Sequence, residues 1–349
     1  MDMTREKIHE LLSGYDKKKL QIATICSHTA LQIFHGARQE GIKTIGICTE
    51  NRKKVYEAFP LGAPDEFIIV DDLRDIPTDE LVEKNAILVP HGSLVEYTGD
   101  KISSMKVPML GNRESLAWER DRGKMFEWIK SAGIQVPSTI APDKIDRPCV
   151  VKLAGAKGGR GYRVVSTPDE FNEHFEGMNV TVQEYLIGVR AYPHYFYSPL
   201  HKDGYRAAEG RVELIGIDRR FESNIDEAYR TQIAGLSFTP SFTVVGNELL
   251  VMRESLIGDV LEMGKNLAEA ADRLFGGIPG PFCIETVVDE NMQFFCFEVS
   301  ARIVAGTNLY PQGSPYTAYQ WEEPMSMGRR IAREIKIAAK AGKMQKIIF

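Results

Sequence analysis

The stretch PCVVKLAGAKGGRGYRVVS (148–166) decides the fold, because it is patterned as a strand, a Gly-rich loop and a second strand. Glycines let backbone N–H groups approach an anion closely, and Lys157 and Arg160 add positive charge. No GK[ST] follows and no helix opens after the loop, which excludes a Walker A loop and a dinucleotide-binding fingerprint. An ordinary flexible hairpin is the alternative. The pattern favours a phosphate site built on Gly158, Gly159, Arg160 and Gly161.

Lys152 lies in the otherwise apolar run CVVKL, three residues before that loop. A buried lysine is costly unless an anion pairs with it, so we expect Lys152 to face the phosphate site. A lysine that extends from an edge strand into solvent is the alternative interpretation.

Two lone carboxylates, Glu285 and Glu298, lie in the apolar runs FCIETVV (282–288) and MQFFCFEVS (292–300), which are typical of a β-hairpin. A connecting loop with an even number of residues would set Glu285 opposite Cys296, with Glu298 as a diagonal neighbour on the same face. Two inward carboxylates about 7–8 Å apart repel unless a cation lies between them. The pattern predicts a Mg²⁺ site that holds phosphate oxygens, with two solvent-facing glutamates as the alternative.

Further polar residues flank these motifs. Arg302 and Asn308 follow the second glutamate in EVSARIVAGTN (298–308), where a cation and an amide suit a transferring phosphoryl group. CSHTA (26–30) and HGS (91–93) each follow an apolar strand, and open α/β sheets bind ligands at such carboxyl ends. The candidate substrate-binding residues there are His28, Thr29 and Ser93, and helix capping is the alternative role for Ser27 or Thr29.

The order of apolar runs predicts a mixed α/β and α+β protein. Short strands at 20–25, 43–48, 66–70 and 86–90 alternate with helical segments, which favours a parallel, doubly wound sheet. A single helix over 114–132 leads to the Gly-rich strands, and later strands and helices complete the chain. We expect a Rossmann-like domain at 1–112, a small lobe at 113–190 and a C-terminal lobe with the glutamate hairpin at 191–349.

Composition restricts the function classes. With 349 residues, of which 43% are hydrophobic and 26% charged, the chain is typical of a globular protein with more than one domain. A formal net charge of -5 argues against a nucleic-acid binder. No apolar run predicts a membrane span, and the polar N-terminus does not resemble a signal peptide. Five cysteines without a CxxC pair indicate buried free thiols in a reducing cytoplasm.

Taken as a set, these motifs resemble those of ATP-grasp ligases. The lysine strand, the GAKGGRGY loop, QEYL (183–186) and the hairpin running into EVSARIVAGTN carry the resemblance. SHTALQI, HYFYSPL and ESNID are more specific, and over nearly its whole length the chain resembles the archaeal 5-formaminoimidazole-4-carboxamide ribonucleotide (FAICAR) synthetases. The resemblance implies a pre-ATP-grasp domain followed by a two-lobed ATP-grasp domain, in a cytoplasmic enzyme of purine (IMP) biosynthesis that is often hexameric.

The resemblance also implies substrates and residue roles. ATP, formate and aminoimidazole carboxamide ribonucleotide (AICAR) would react through formyl phosphate to FAICAR, ADP and phosphate, under a Gly-rich loop that closes. Glu285 and Glu298 would bind Mg²⁺ or Mn²⁺, Lys152 and the loop would hold the ATP phosphates, and Arg302 and His28 would be catalytic. The adenine hinge would be Gln183, Glu184, Tyr185 and Leu186, the ribose contact Glu222, and the substrate-binding set His28, Thr29, Ser93, Arg253 and Asn308. One departure is Ser300, which stands where many ATP-grasp ligases have asparagine.

The sequence leaves two other functions open. Another ATP-grasp ligase, joining a different carboxylate to a different amine, would share the ATP and metal residues and differ in the first-domain loops. A non-catalytic nucleotide sensor would have lost one metal glutamate or Arg302, and neither is lost. A plain Rossmann dehydrogenase is disfavoured because no GxGxxG opens a helix.

Overall fold

A parallel sheet of four strands forms the first part of the molecule. The computed structural model describes residues 2–153, 162–224, 227, 230, 233–235, 241 and 243–349. The strands of this sheet are β1 (Gln21–Ile25), β2 (Lys43–Cys48), β3 (Glu66–Ile69) and β4 (Ala86–Leu88), in the order β3-β2-β1-β4. β1 pairs in parallel with both β2 and β4, which confirms the predicted parallel sheet.

Helices connect these strands, as the alternating pattern predicts. They are α2 (Ala30–Gln39), α3 (Glu50–Glu57) and α4 (Thr78–Glu83), while α1 (Arg5–Ser13) precedes β1 and α5 (Gly92–Thr98) follows β4. α2 ends before Gly41, whose φ of 71° lies in the left-handed region where glycine is favoured. Both α2 and α5 begin directly after the carboxyl end of a strand, and this places their first residues at one edge of the sheet.

Two helices, α6 (Arg113–Arg120) and α7 (Arg122–Ser131), replace the single helix expected over 114–132. Asp121 leaves the helical conformation, with φ -89° and ψ 109°, and its carboxylate accepts the Lys124 N–H. Asp121 is therefore the N-cap of α7. The prediction of one helix is wrong because the apolar spacing continues across this break and conceals the cap.

A small antiparallel sheet follows, in the order β6-β5-β7. It comprises β5 (Cys149–Leu153), β6 (Arg163–Val165) and β7 (Val180–Glu184), and α8 (Pro168–Phe175) packs against it. Val151, Phe171 and Val182 belong to a core of its own, while buried residues of α6 and α7 belong to the core of the larger sheet. The expected domain boundaries stay a prediction.

The largest sheet has six strands and carries the glutamate hairpin. Its strands are β8 (Val189–Ser198), β9 (Arg206–Ala207), β10 (Gly210–Glu222), β11 (Val244–Leu249), β12 (Gly280–Val288) and β13 (Phe294–Ser300), with the main order β11-β10-β8-β12-β13. The helices of this part are α9 (Ile257–Phe275), α10 (Pro315–Ala318) and α11 (Met327–Ala341). No helix in the described ranges combines the length and apolar character needed to cross a membrane.

α11 packs across α2 and so joins the end of the chain to the first sheet. The two helices meet at glycines: a Cβ on Gly36 would lie 2.1 Å from the Arg329 backbone nitrogen, and one on Gly328 would lie 2.1 Å from the Gln32 carbonyl oxygen. Such distances leave no space for a side chain. Glycine at both positions lets the helix backbones touch.

Candidate active site

A cavity of about 880 Å³ lies where the three sheets meet. The first sheet contributes the loops after β1 and β4, the small sheet contributes β5 and β7, and the large sheet contributes β8, β10, β12 and β13. The predicted site residues that line it are His28, Ser93, Lys152, Gln183, Glu184, Tyr185, Leu186, Glu222, Glu285, Glu298 and Arg302. Side chains far apart in sequence therefore share one space.

The first-sheet wall of the cavity lies at a point where the strand order reverses. The chain leaves β1 toward β2 on one side, while β4 pairs on the other side, and ligands of open α/β sheets bind in the crevice between such strands. Ser27 Oγ and Ser93 Oγ, from the two loops, are 2.9 Å apart. Thr29 is buried beneath this wall and contacts His28 Nδ1 at 3.3 Å instead of lining the cavity.

His91, which begins the HGS motif, is a buried residue beside His28 that the sequence interpretation did not single out. Its ring stacks on His28 with centroids 5.5 Å apart and planes 7° apart. His91 Nε2 lies 2.9 Å from the Ile25 carbonyl and Nδ1 accepts the Leu94 N–H, so the neutral ring carries its proton on Nε2. Complete burial lowers the pKa of His91 to about 4.

The His28 ring lies against the cavity wall and is uncharged at neutral pH. Desolvation of the ring in the cavity, followed by the neighbouring His91 and Arg302, lowers the pKa of His28 well below its usual value. A neutral imidazole offers one donor and one acceptor nitrogen. His28 therefore suits a neutral polar group of a substrate better than it suits charge pairing with a phosphate.

The hairpin brings the two predicted metal carboxylates directly opposite each other. Glu285 pairs with Glu298, and Thr286 pairs with Cys296, so the expected pairing of Glu285 with Cys296 is wrong. The turn after Val288 has an odd length, which alone would put the two carboxylates on opposite faces. A β-bulge gives β13 one extra residue at this point, and the extra residue returns both carboxylates to the cavity face.

Glu298 and Lys152 both line the cavity, and each has a shifted pKa. Its recessed position and the neighbouring Glu285 raise the pKa of Glu298 to about 7. Burial and then the charge of Arg122 lower the pKa of Lys152 to about 8. The Lys152 ammonium also lies 5.5 Å from the ring centres of Tyr162 and Phe297. A ligand that brings a cation to the carboxylates would lower the pKa of Glu298, and phosphates next to Lys152 would raise the pKa of the lysine. Such a ligand would return both pKa values toward their usual ranges.

Arg220 holds Glu285, a contact that the sequence interpretation missed. Its guanidinium donates to both carboxylate oxygens at 2.7 and 2.6 Å and lies 4.0 Å from the centre of the Tyr192 ring. Ser300 Oγ donates to Glu285 Oε1 at 3.4 Å, so the serine that replaces asparagine supports a carboxylate here. The signal in the sequence was DRR (218–220), a charged run inside a long strand.

Glu119, which also went unnoticed in the sequence, holds Arg302. Its carboxylate accepts the Ala301 N–H at 2.8 Å and Arg302 Nε at 3.1 Å. A Cβ on Gly92 would lie 2.8 Å from His28 Nε2 and 3.4 Å from Arg302 Cζ, so the absence of a side chain there brings His28 and Arg302 together. Arg302 thus lies between the metal carboxylates and the first-sheet loops.

The opposite end of the cavity has the features expected of a nucleotide-base pocket. Gln183 is buried, and its Oε1 has no hydrogen-bond partner within the part of the chain that the structure describes. Glu184 Oε1 accepts the Ser138 N–H at 2.7 Å, and the Tyr185 N–H donates to the Pro148 carbonyl at 2.9 Å. Glu222 forms an ion pair with Arg190 at the same end.

Several predicted residues lie elsewhere. Gly158, Gly159, Arg160 and Gly161 are outside the described residues. Arg253 is exposed at the start of the turn Glu254–Leu256 and does not line the cavity. Asn308 lines a second cavity of about 540 Å³, which shares His28 with the first. The roles of these residues stay predictions.

The carboxylate pair fits a hard divalent cation that shares its oxygens with phosphates. Among the described residues no group of three or more His, Cys, Asp or Glu side chains forms a complete metal site. Two carboxylates with space beside them match the preference of Mg²⁺ for one or two protein carboxylates plus phosphate oxygens. Glu285 can still contribute, because a carboxylate has about four lone-pair sites and Arg220 takes two.

A lysine strand in a small antiparallel sheet, facing a glutamate hairpin in a larger one, defines an ATP-grasp ligase. Solved structures agree: a carboxyaminoimidazole synthetase from Staphylococcus aureus complexed with ADP superposes with a TM-score of 0.62 at 15% identity, covering 90% of this chain and 77% of that one. At that identity the likeness concerns the fold alone. The IMP biosynthesis protein PurP from Thermococcus kodakaraensis superposes with a TM-score of 0.75 at 27% identity, covering 94% and 100%.

The chain belongs to the FAICAR synthetase family. Proteins from Methanococcoides burtonii and Methanosarcina barkeri named 5-formaminoimidazole-4-carboxamide-1-(beta)-D-ribofuranosyl 5'-monophosphate synthetase are 47% and 48% identical to it, each with 99% coverage of both chains. Residues 173–349 match a family model described as a domain of unknown function (DUF1297), and residues 22–140 match one described as a protein of unknown function (DUF1246).

Proposed function

We propose that this chain joins formate to AICAR at the expense of ATP, yielding FAICAR, ADP and phosphate. The observation that carries the proposal is its identity of 46–48% with synthetases named for FAICAR, across 99% of their length. The cavity supports it, because Lys152, Glu285 and Glu298, which suit phosphates and a metal ion, share one space with the polar His28 and Ser93.

Mg²⁺, or Mn²⁺ in its place, would be held by Glu285 and Glu298. When bound, it would neutralise phosphate charge and polarise the transferring phosphoryl group. Lys152 and Arg302 line the same cavity as the carboxylates and add positive charge there. Glu119 and Arg220 orient Arg302 and Glu285 before any ligand arrives, so little reorganisation accompanies the reaction.

The proposed chemistry has two transfers. A formate oxygen attacks the γ-phosphorus of ATP, the bond to the β-phosphate oxygen breaks, and formyl phosphate and ADP form. The AICAR amine then attacks the formyl carbon, the C–O bond to phosphate breaks, and the departing phosphate takes up the proton that the amine loses. His28 orients the amine with its neutral ring, while the enclosing walls keep water from formyl phosphate.

The test is ADP release from ATP and Mg²⁺ with AICAR, measured with and without formate. ADP that depends on formate, with FAICAR formed in equal amount, is the expected result. Acetate serves as the control carboxylate, because turnover with acetate and not formate would identify a different ligase. A folded chain that binds ATP but releases no ADP with either acid would point to a nucleotide sensor.

We also propose that the enzyme works in the cytoplasm as a homo-oligomer, a hexamer by resemblance to the family. Exposed apolar side chains between residues 55 and 69, namely Val55, Phe59, Leu61 and Ile69, offer surface that an assembly would bury. Sedimentation velocity provides the test, and a monomer at micromolar concentration would contradict the proposal.

A further inference from the structure

The segment after β13 crosses from the metal hairpin to the substrate loops of the first sheet. We call residues 301–309 the connecting segment. Glu119 binds its first residues through the Ala301 N–H and Arg302, and Ile303 forms a parallel bridge to His91. Its last turn, Ala305–Leu309, places the Asn308 side chain against the main chain of His28.

His28 has an uncommon backbone conformation. Its φ of 55° lies in the left-handed region, which is unfavourable for a residue with a Cβ. Such a conformation persists only where neighbouring groups stabilise it. The His28 carbonyl accepts the Asn308 Nδ2–H at 3.3 Å, so an amide from the far end of the chain holds the strained residue.

A chain of hydrogen bonds fixes which way the Asn308 amide points. The Gly328 backbone N–H, which can only donate, bonds to Gln32 Oε1 at 3.0 Å. Gln32 Nε2 must then donate, and it reaches Asn308 Oδ1 at 3.1 Å. The nitrogen of Asn308 is thereby left to face the His28 carbonyl, which can only accept.

The second proton on the Gln32 amide nitrogen also forms a hydrogen bond. Gln32 Nε2 donates to Thr307 Oγ1 at 3.1 Å, and the Thr307 hydroxyl donates in turn to the Val304 carbonyl at 2.7 Å. Gln32 is 5% exposed, so its bond to Thr307 is shielded from competing water, while the bond from Asn308 to His28 lies at the surface. The amide network therefore joins α2, the connecting segment and α11 into one unit around His28.

We propose that Asn308 is a positioning residue for AICAR binding: it holds the His28 main chain so that the imidazole faces the amine-bearing substrate. Both ends of its side chain bind protein groups, and it lines the second cavity instead of the one with Glu285 and Glu298. Asn308 thus acts through His28 and makes no contact with the phosphoryl group. This role rests on the proposed function, in which His28 contacts the ribonucleotide.

The test is Asn308→Asp, which keeps size and shape but replaces the donor with an acceptor that repels the His28 carbonyl. We expect the KM for AICAR to rise about tenfold, while the KM values for ATP and formate stay within about twofold. Because formyl phosphate still forms but meets a misplaced amine, ADP release should exceed FAICAR formation. Gln32→Glu removes the donor that fixes the orientation of the Asn308 amide, so it should change the same kinetic constants in the same way. The effect of the double variant should differ greatly from the sum of the two single effects.

Gln312→Glu is the matched control, because Gln312 also lines the second cavity, is exposed and gains the same charge. It should leave all three KM values and the ADP to FAICAR ratio unchanged. Equal increases in all three KM values would show that Asn308 has only a structural role and would overturn the proposal. A thermal unfolding midpoint low enough to explain the weaker AICAR binding would do the same. An unchanged KM for AICAR in Asn308→Asp would also overturn it.

A readout without turnover separates this proposal from the proposed function. The NMR signals of the His28 ring should move in Asn308→Asp and stay in place in Gln312→Glu, whatever substrate the enzyme uses. If wild-type protein shows no formate-dependent ADP release, the proposed function fails. Unmoved His28 signals would refute the positioning role independently.

Discussion

The charge of Glu298 depends on what occupies the cavity. Its pKa of about 7 places the carboxyl near half-protonation at neutral pH, and a bound cation would hold it ionised. Glu298→Gln should lower kcat by at least about a hundredfold through loss of charge stabilisation, while AICAR binding stays within about twofold. Steady-state kinetics and calorimetric titration of AICAR measure the two quantities. Exposed Glu290, in the turn of the same hairpin, provides the control Glu290→Gln, and loss of AICAR binding in Glu298→Gln would indicate misfolding.

The residues of the site differ in how well the sequence alone predicts them. Lys152, Glu285 and Glu298 were predictable because a charge inside an apolar run is expensive unless something pairs with it. Glu119 was not, because it lies in a helix among other charged residues, and only the folded chain brings it to Arg302. His91 was not singled out because only the folded chain stacks its buried ring on His28.

At the scale of elements, the crossing of α2 and α11 depends on two glycines. Gly36→Ala would drive a methyl group into the Arg329 backbone, so we expect the free energy of unfolding to fall by about 2–3 kcal/mol or more. Gly258→Ala in α9 is the control, because a Cβ there meets nothing within 4 Å, and the higher helix propensity of alanine should leave stability unchanged or raise it by up to about 1 kcal/mol. Urea unfolding measures both, and equal effects would contradict the crossing.

The hairpin shows what periodicity can and cannot predict. Alternation of apolar residues placed both strands and chose the correct turn, because side-chain direction has a period of two. The register was wrong because the turn after Val288 has an odd number of residues, and the bulge in β13 that returns both carboxylates to one face depends on packing against other strands. Periodicity also failed to predict the break at Asp121, because the apolar spacing continues across the N-cap of α7.

For the whole molecule, stability should fall in acid below about pH 6.5. Folding lowers the pKa of His91 from about 6.5 to about 4, so the unfolded chain binds more protons between these values and stability is lost as pH falls through them. His91 alone accounts for about 3 kcal/mol at pH 4. Below about pH 4.5, Glu213 adds to the loss, because Arg330 outweighs the effect of burial and holds the pKa of Glu213 below its usual value.

Urea unfolding between pH 4 and 7 tests this dependence. In His91→Gln the free energy of unfolding should change with pH less steeply, by up to about 1.4 kcal/mol per pH unit, because one titrating group has been removed. Glutamine can still donate to the Ile25 carbonyl, which preserves the contact made by His91 Nε2. Equal slopes in the variant and the wild-type protein would show that His91 is not the group responsible.

The hydrogen bond between Gln32 and Asn308 joins positions 276 residues apart in the chain. The Gly328 N–H fixes the orientation of the Gln32 amide, and the His28 carbonyl fixes the orientation of the Asn308 amide. A substitution at either position can therefore be accommodated only by a matching change at the other. During evolution toward a different amine substrate, these two positions should change as a pair, and an alignment of the family would show that linked history.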